Sequence, residues 1–80
     1  MLKIVTFRGH TISALSVVSG DRRWGATYIV CDNGTLVQNS REVFFRPSPH
    51  GAEIAAMIRG IKYVQTRVAR SQENSGTAHR

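Results

Sequence analysis

Ser48-Pro49-His50-Gly51-Ala52-Glu53-Ile54-Ala55-Ala56-Met57-Ile58-Arg59-Gly60-Ile61-Lys62-Tyr63-Val64-Gln65-Thr66-Arg67-Val68-Ala69-Arg70 is the stretch that decides the fold. Its apolar residues recur at Ile54, Met57, Ile58, Ile61, Val64 and Val68. Steps of three, four and seven gather such side chains on one face of an α-helix. The start is marked too. Ser48 suits the N-cap, where its hydroxyl accepts from an exposed N–H, and Pro49 suits the first helical position, which needs no N–H. Glu53 lies near the positive end of the helix dipole, and Arg59, Lys62, Arg67 and Arg70 lie toward the negative end. A helix over 48–70 is roughly 33 Å long, so its last turns outrun a small sheet.

Everything before this stretch reads as strands that receive it. Residues 22–31 alternate most clearly. Trp24, Ala26, Tyr28 and Val30 fall on one face, and Gly25, Thr27, Ile29 and Cys31 on the other. The first set is expected beneath the helix. Asp32-Asn33-Gly34 is a hairpin signal, because Asp and Asn favour turns and Gly accepts positive φ. Thr35–Phe44 then return as one strand with a polar middle at Gln38, Asn39 and Ser40. Toward the N-terminus, 2–8 and 11–18 are rich in Ile, Val, Thr and Phe and read as strands. Gly9 between them makes either a tight hairpin with Arg8 or a bulge in one long strand. The alternation slips near Leu15, which predicts an irregularity there. Ser19-Gly20-Asp21 marks the next turn. The expected fold is α+β: an antiparallel sheet of three or four strands in a meander, with one long C-terminal helix packed on one face in two layers. The other face is left to water or to a partner. The expected core comprises Trp24, Tyr28, Val30, Ile54, Met57, Ile58, Ile61 and Val64.

Eighty residues allow one domain, expected over 1–70. Residues 71–80 lose apolar content and are expected to form a disordered tail. A core this small is marginal alone. The single cysteine, Cys31, rules out an intrachain disulfide and suits a reducing compartment, so the cytoplasm is the expected location. No apolar run approaches ~18 residues, so no membrane span is expected. The opening Met1–Arg8 has too short an apolar region for a secretory signal.

Chemistry-bearing residues are scattered. Asp21 and Asp32 sit in turns and Glu53 is expected in the first turn of the helix, all ordinary structural places. His10, His50 and His79 are not at metal-ligand spacing with each other or with Cys31, and the glycines form no phosphate loop. No catalytic residue, metal, cofactor or small-molecule substrate is expected. Charge is more informative. Eleven Lys+Arg against five Asp+Glu give +6, and nine of the cations are arginine, whose planar fork suits phosphate and carboxylate. Arg8, Arg22, Arg23, Arg41 and Arg46 lie near expected strand ends and are the candidates for phosphate contact in a nucleic-acid complex. The alternative is a protein-interaction or regulatory module, either a homodimer or the binder of an acidic partner.

Phe7-Arg8-Gly9-His10-Thr11-Ile12, Gly20-Asp21-Arg22-Arg23-Trp24-Gly25-Ala26, Asp32-Asn33-Gly34 and Ala52-Glu53 together resemble a group of small uncharacterised bacterial proteins. In these an aromatic-basic-glycine start precedes a Trp-bearing strand, a Gly turn and a C-terminal helix. The resemblance spans about residues 5–68 and implies the β-meander-plus-helix fold. A weaker likeness, carried by Arg22–Phe45 and the helix from Ser48, is to the arm-type DNA-binding domain of phage-type integrases. That likeness implies a sheet that enters the DNA major groove with the helix behind it.

Overall fold

The computed structural model describes residues 2–18 and 20–78, with side chains through Gln72. Strands β1 (Leu2–Phe7), β2 (His10–Val18), β3 (Trp24–Asp32), β4 (Thr35–Asn39) and β5 (Phe44–Arg46) precede one helix, α1 (Pro49–Ala78). All neighbouring strands pair antiparallel, in the order β1-β2-β3, with β4 and β5 both on the far edge of β3. The helix packs on one face of this sheet, giving a two-layer α+β domain.

Turn chemistry sets the meander. Arg8 and Gly9 have φ of 49° and 78°, and Asn33 and Gly34 have 53° and 84°. Two consecutive positive φ values close a two-residue hairpin whose twist matches the strands. The choice at Gly9 is therefore settled as a hairpin. Ser19 lies outside the described residues, but the turn continues through Gly20, with Arg23 N–H donating to Gly20 O at 3.3 Å.

Register then fixes two faces. Ile12, Ala14 and Ser16 of β2 stand opposite Val30, Tyr28 and Ala26 of β3, beneath the helix. Leu15 and Val17 point the other way. The irregularity expected near Leu15 is thus absent: β2 pairs without interruption from His10 to Val18. The alternation slips in the sequence because Ser16 faces the core while Leu15 faces out. The register shift lies instead between Val30 and Cys31, against β4. The single strand expected over 35–44 is also divided. Past Asn39 the ladder passes through Ser40, whose N–H donates to Tyr28 O (2.9 Å) and whose Oγ accepts from Tyr28 N–H (3.1 Å). Arg41-Glu42-Val43 then bends the chain before β5 resumes pairing with β3 at Ala26–Phe44.

The helix begins as expected. Ser48 Oγ accepts from Gly51 N–H at 3.0 Å, the N-cap bond. It runs further than expected, however. Residues 71–78, expected to be a disordered tail, continue α1 to Ala78. No proline interrupts them, and an established helix adds residues more easily than it nucleates. His79 and Arg80 lie outside the described residues. At thirty residues α1 is ~45 Å long, and it stretches the molecule to 56 × 19 × 16 Å.

The buried helix face differs from the expected one. Ile54 and Ile58 are 39% and 48% exposed, and the helix meets the sheet through Ala52, Glu53, Ala56, Met57, Gly60 and Val64. Small residues at 52, 56 and 60, one turn apart, bring the axis close to the sheet. A Cβ on Gly60 would stand 2.6 Å from Ile12 Cγ2 and 3.3 Å from Tyr28 Cδ1. The core is accordingly compact: Ile12, Ala14, Ala26, Tyr28, Val30, Ala52, Ala56, Met57 and Val64. Trp24 and Ile61, also expected there, are half-buried at its margin.

Candidate functional site

The five arginines expected to meet phosphate do not form one cluster. Arg8 tips the β1–β2 hairpin, at the end of the sheet where His10 pairs with Asp32. Arg22 and Arg23 lie in the β2–β3 connection at the opposite end, where Trp24 pairs with Arg46. A strand of this length puts the two ends roughly 25–30 Å apart. Arg41 is on the edge, in the connection between β4 and β5. Arg22, Arg23 and Arg46 therefore share one end of the sheet, with Arg23 over Phe45 on the open face and Arg46 beside Gly51 at the start of the helix, while Arg8 and Arg41 stand away from that end.

Local contacts constrain several of these cations. The Arg23 guanidinium lies over the Phe45 ring, 4.7 Å from its centroid, and Arg46 Nη1 donates to Phe45 O at 2.7 Å. Arg8 lies 5.6 Å from the Phe7 ring centroid. Arg8 and Arg22 both hold left-handed backbone, at φ 49° and 56°. Asn or Gly meets that conformation at lower cost. On the helix, Arg59 pairs with Glu42 at 3.3 Å and Arg67 with Asp32 at 3.5 Å, all with exposed or half-exposed side chains.

Two polar side chains of β2 face the interior. Ser16 Oγ donates to Glu53 Oε2 at 2.6 Å, and both residues are buried. At the other end of β2, buried His10 engages Arg8 O through Nδ1 (2.9 Å). Among the described residues its Nε2 has no hydrogen-bond partner, and Asp32 Oδ2 is 3.9 Å away. Beside this end a recess of about 150 Å³ is lined by Arg8, Gln65, Val68, Ala69 and Gln72. Sites for small organic ligands are usually ~300–1,000 Å³.

The largest feature is the face of the sheet turned away from the helix. β1 contributes Leu2, Ile4 and Thr6, which stand opposite Leu15, Ser13 and Thr11 of β2. β2 adds Val17. β3 contributes Gly25, Thr27, Ile29 and Cys31. Leu36 and Asn39 of β4 and Phe45 of β5 complete it. Val43 joins them, since a Cβ on Gly25 would meet Val43 Cγ1 at 2.8 Å and Phe45 Cε1 at 3.2 Å. Eight large apolar residues (Leu2, Ile4, Leu15, Val17, Ile29, Leu36, Val43 and Phe45) are 39% to 61% exposed here. None of the strand positions on this face is Lys, Arg, Asp or Glu. Arg23, over Phe45, stands at its border.

The signal for this face is present in the sequence. Leu2, Ile4, Leu15, Val17 and Ile29 are apolar on the side opposite to Ala26, Tyr28 and Val30. Both faces of the sheet are therefore apolar, whereas a solvated face alternates with polar residues. Compared with known proteins, the chain matches no family model, no curated protein and no solved structure.

Proposed function

We propose that this chain is a non-catalytic association module that docks another protein surface through the open face of its sheet. The observation that carries the reading is the set of eight exposed apolar side chains, spread over every strand and interrupted by no charged strand position. Contiguous apolar patches on lone soluble proteins rarely exceed ~300–600 Å², and larger ones mark interaction sites. A non-catalytic role is supported by the place of Ser16 and Glu53. This nucleophile and carboxyl pair is closed off from substrate by the helix. The half-buried free thiol of Cys31 suits the reducing environment of the cytoplasm.

Photo-crosslinking from the cell tests this. A photoreactive phenylalanine analogue at Leu15 or Ile29 is expected to give a protein adduct, and the same analogue at the exposed helix residue Thr66 is expected to give none. Equal yields at all three positions, or no adduct from the open face, would refute docking there.

A second reading, nucleic-acid binding, rests on the end of the sheet that carries Arg22, Arg23 and Arg46. Arg22 is kept there on left-handed backbone at a cost that asparagine avoids. Among the described residues, no carboxylate lies within ion-pair distance of these three. On this reading affinity for duplex DNA falls with salt at a slope of about −0.9 per phosphate neutralised. Replacing Arg22 and Arg23 by alanine lowers that slope, and replacing Arg41 leaves it unchanged. Fluorescence anisotropy at several salt concentrations decides, and a salt-independent signal sinks the reading.

A further inference from the structure

We infer that the occupant of the open face is a second copy of this chain, packed sheet against sheet about a two-fold axis, with the two helices outermost. The inference rests on the docking role proposed for that face and names its partner.

Width is the first argument. An α-helix is ~10–12 Å across with its side chains, about two strands wide. The helix side of the sheet shows the consequence. There α1 lies over β2 and β3, and the side chains of Lys3, Val5 and Phe7 on β1 remain half-exposed. The open face is apolar from Leu2 and Ile4 on β1, through Leu15, Val17 and Ile29, to Leu36 and Phe45 on the far edge. An occupant that covers all of it must be as wide as a sheet. Two such faces pack ~10 Å apart with strands crossing at about 30°.

Area is the second. Four strand widths by a nine-residue strand project to on the order of 550 Å², and the accessible area of the protruding side chains is larger. A stable complex buries ~800 Å² per partner. Only a contact over the whole face approaches that figure, and an occupant that covers part of it falls short.

Charge is the third. Each copy carries +6. The cations stand on turns, edges and the helix, so two copies meet without opposing charges at the centre of the contact. An acidic partner would find no strand-borne cation on this face to pair with. The centre holds Ser13, Leu15, Thr27 and Ile29, small hydroxyl residues alternating with large apolar ones. A two-fold axis there makes each contact between two of these residues occur twice, so the centre meets a second copy of the same uncharged set. Arg23, stacked on Phe45, takes the place that arginine commonly holds at the rim of an interface.

Sedimentation equilibrium of the purified full chain, from micromolar to hundreds of micromolar, tests the inference. The weight-average mass is expected to rise from the chain mass of 8.9 kDa toward twice that value. Leu15→Lys buries a charge at the contact, and the dimer is expected to weaken by at least about 100-fold. Leu15→Thr, a conservative strand replacement should the lysine variant misfold, is expected to weaken it about tenfold. Ile58→Lys, as exposed as Leu15 but on the helix, leaves the dimer intact. Cys31, native to the open face, serves as a probe without mutation: its reaction with a thiol reagent slows as the dimer fills. A wild-type chain that stays monomeric throughout, or an Ile58→Lys effect equal to that of Leu15→Lys, overturns the second copy as occupant. If the purified chain is monomeric but Ile29 crosslinks to a different protein, self-association fails and docking stands. If it is monomeric, gives no adduct and co-sediments with anionic vesicles, both fail.

Discussion

Gly60 is the residue on which the close approach of helix to sheet depends. A methyl group there would stand 2.6 Å from a methyl of Ile12, which is fully buried and cannot swing aside. Gly60→Ala gains about 1 kcal/mol of helix propensity. Overpacking costs about 1–3 kcal/mol, and the clash is severe enough to set the sign. Net destabilisation of up to about 2 kcal/mol is expected from urea unfolding. A stabilised Gly60→Ala variant would mean that the helix rides higher than described. Ser16 and Glu53 form the other sensitive contact. A buried hydrogen bond to a carboxylate is worth more than a neutral one, so Ser16→Ala is expected to cost about 1.5–3 kcal/mol. Removing both polar groups avoids burying an abandoned carboxylate. Ser16→Ala/Glu53→Met should therefore lose less than the sum of the two single variants. Additive losses in that double-mutant cycle would show that the 2.6 Å bond couples nothing.

At the scale of elements, the helix separates two ideas of what holds this fold together. If Ile58 were core, truncating it would cost several kcal/mol. At 48% exposure, Ile58→Ala should change stability by no more than about 0.5 kcal/mol. Val64→Ala should cost about 2 kcal/mol and Ala56→Leu about 1–3 kcal/mol, the first by leaving a cavity and the second by overfilling one. Chemical denaturation of the three variants ranks them, and a larger loss for Ile58→Ala than for Val64→Ala would reverse the assignment of the buried face. The elements themselves were legible because each has a local cause: Ser48 and Pro49 open the helix, and Asn33-Gly34 closes a hairpin. Which helix face is buried was not legible. Hydrophobic periodicity rewards isoleucine, whereas the contact is made by Ala52, Ala56 and Gly60, chosen for smallness by a sheet already filled with Ile12, Tyr28 and Val30. For the same reason the open face was obscured. Ser16 in the core and Leu15 outside it invert the usual pattern, and only the register with Ala26 and Thr27 shows which is which. The arginines were legible as residues but not as a set, since their grouping depends on which strand ends coincide.

At the scale of the whole molecule, two apolar sheet faces and one helix leave an imbalance. One helix covers part of one face, and the chain has no disulfide to compensate for a small core. Dimerisation couples burial of the second face to folding. The midpoint of thermal unfolding should then rise with protein concentration, as mass action requires when the folded state alone associates. Salt discriminates further. Two copies of charge +6 repel through the arginines at their edges, and the Debye length shrinks from ~30 Å at 0.01 M to ~10 Å at 0.1 M. Raising salt over that range should tighten the dimer several-fold and raise the melting midpoint at fixed protein concentration. Phosphate binding through Arg22, Arg23 and Arg46 has the opposite sign, because counterions released by binding are returned at high salt. Scanning calorimetry over a matrix of salt and protein concentration reads both dependences in one experiment. A midpoint independent of concentration, at any salt, would leave the open face without a second copy to cover it.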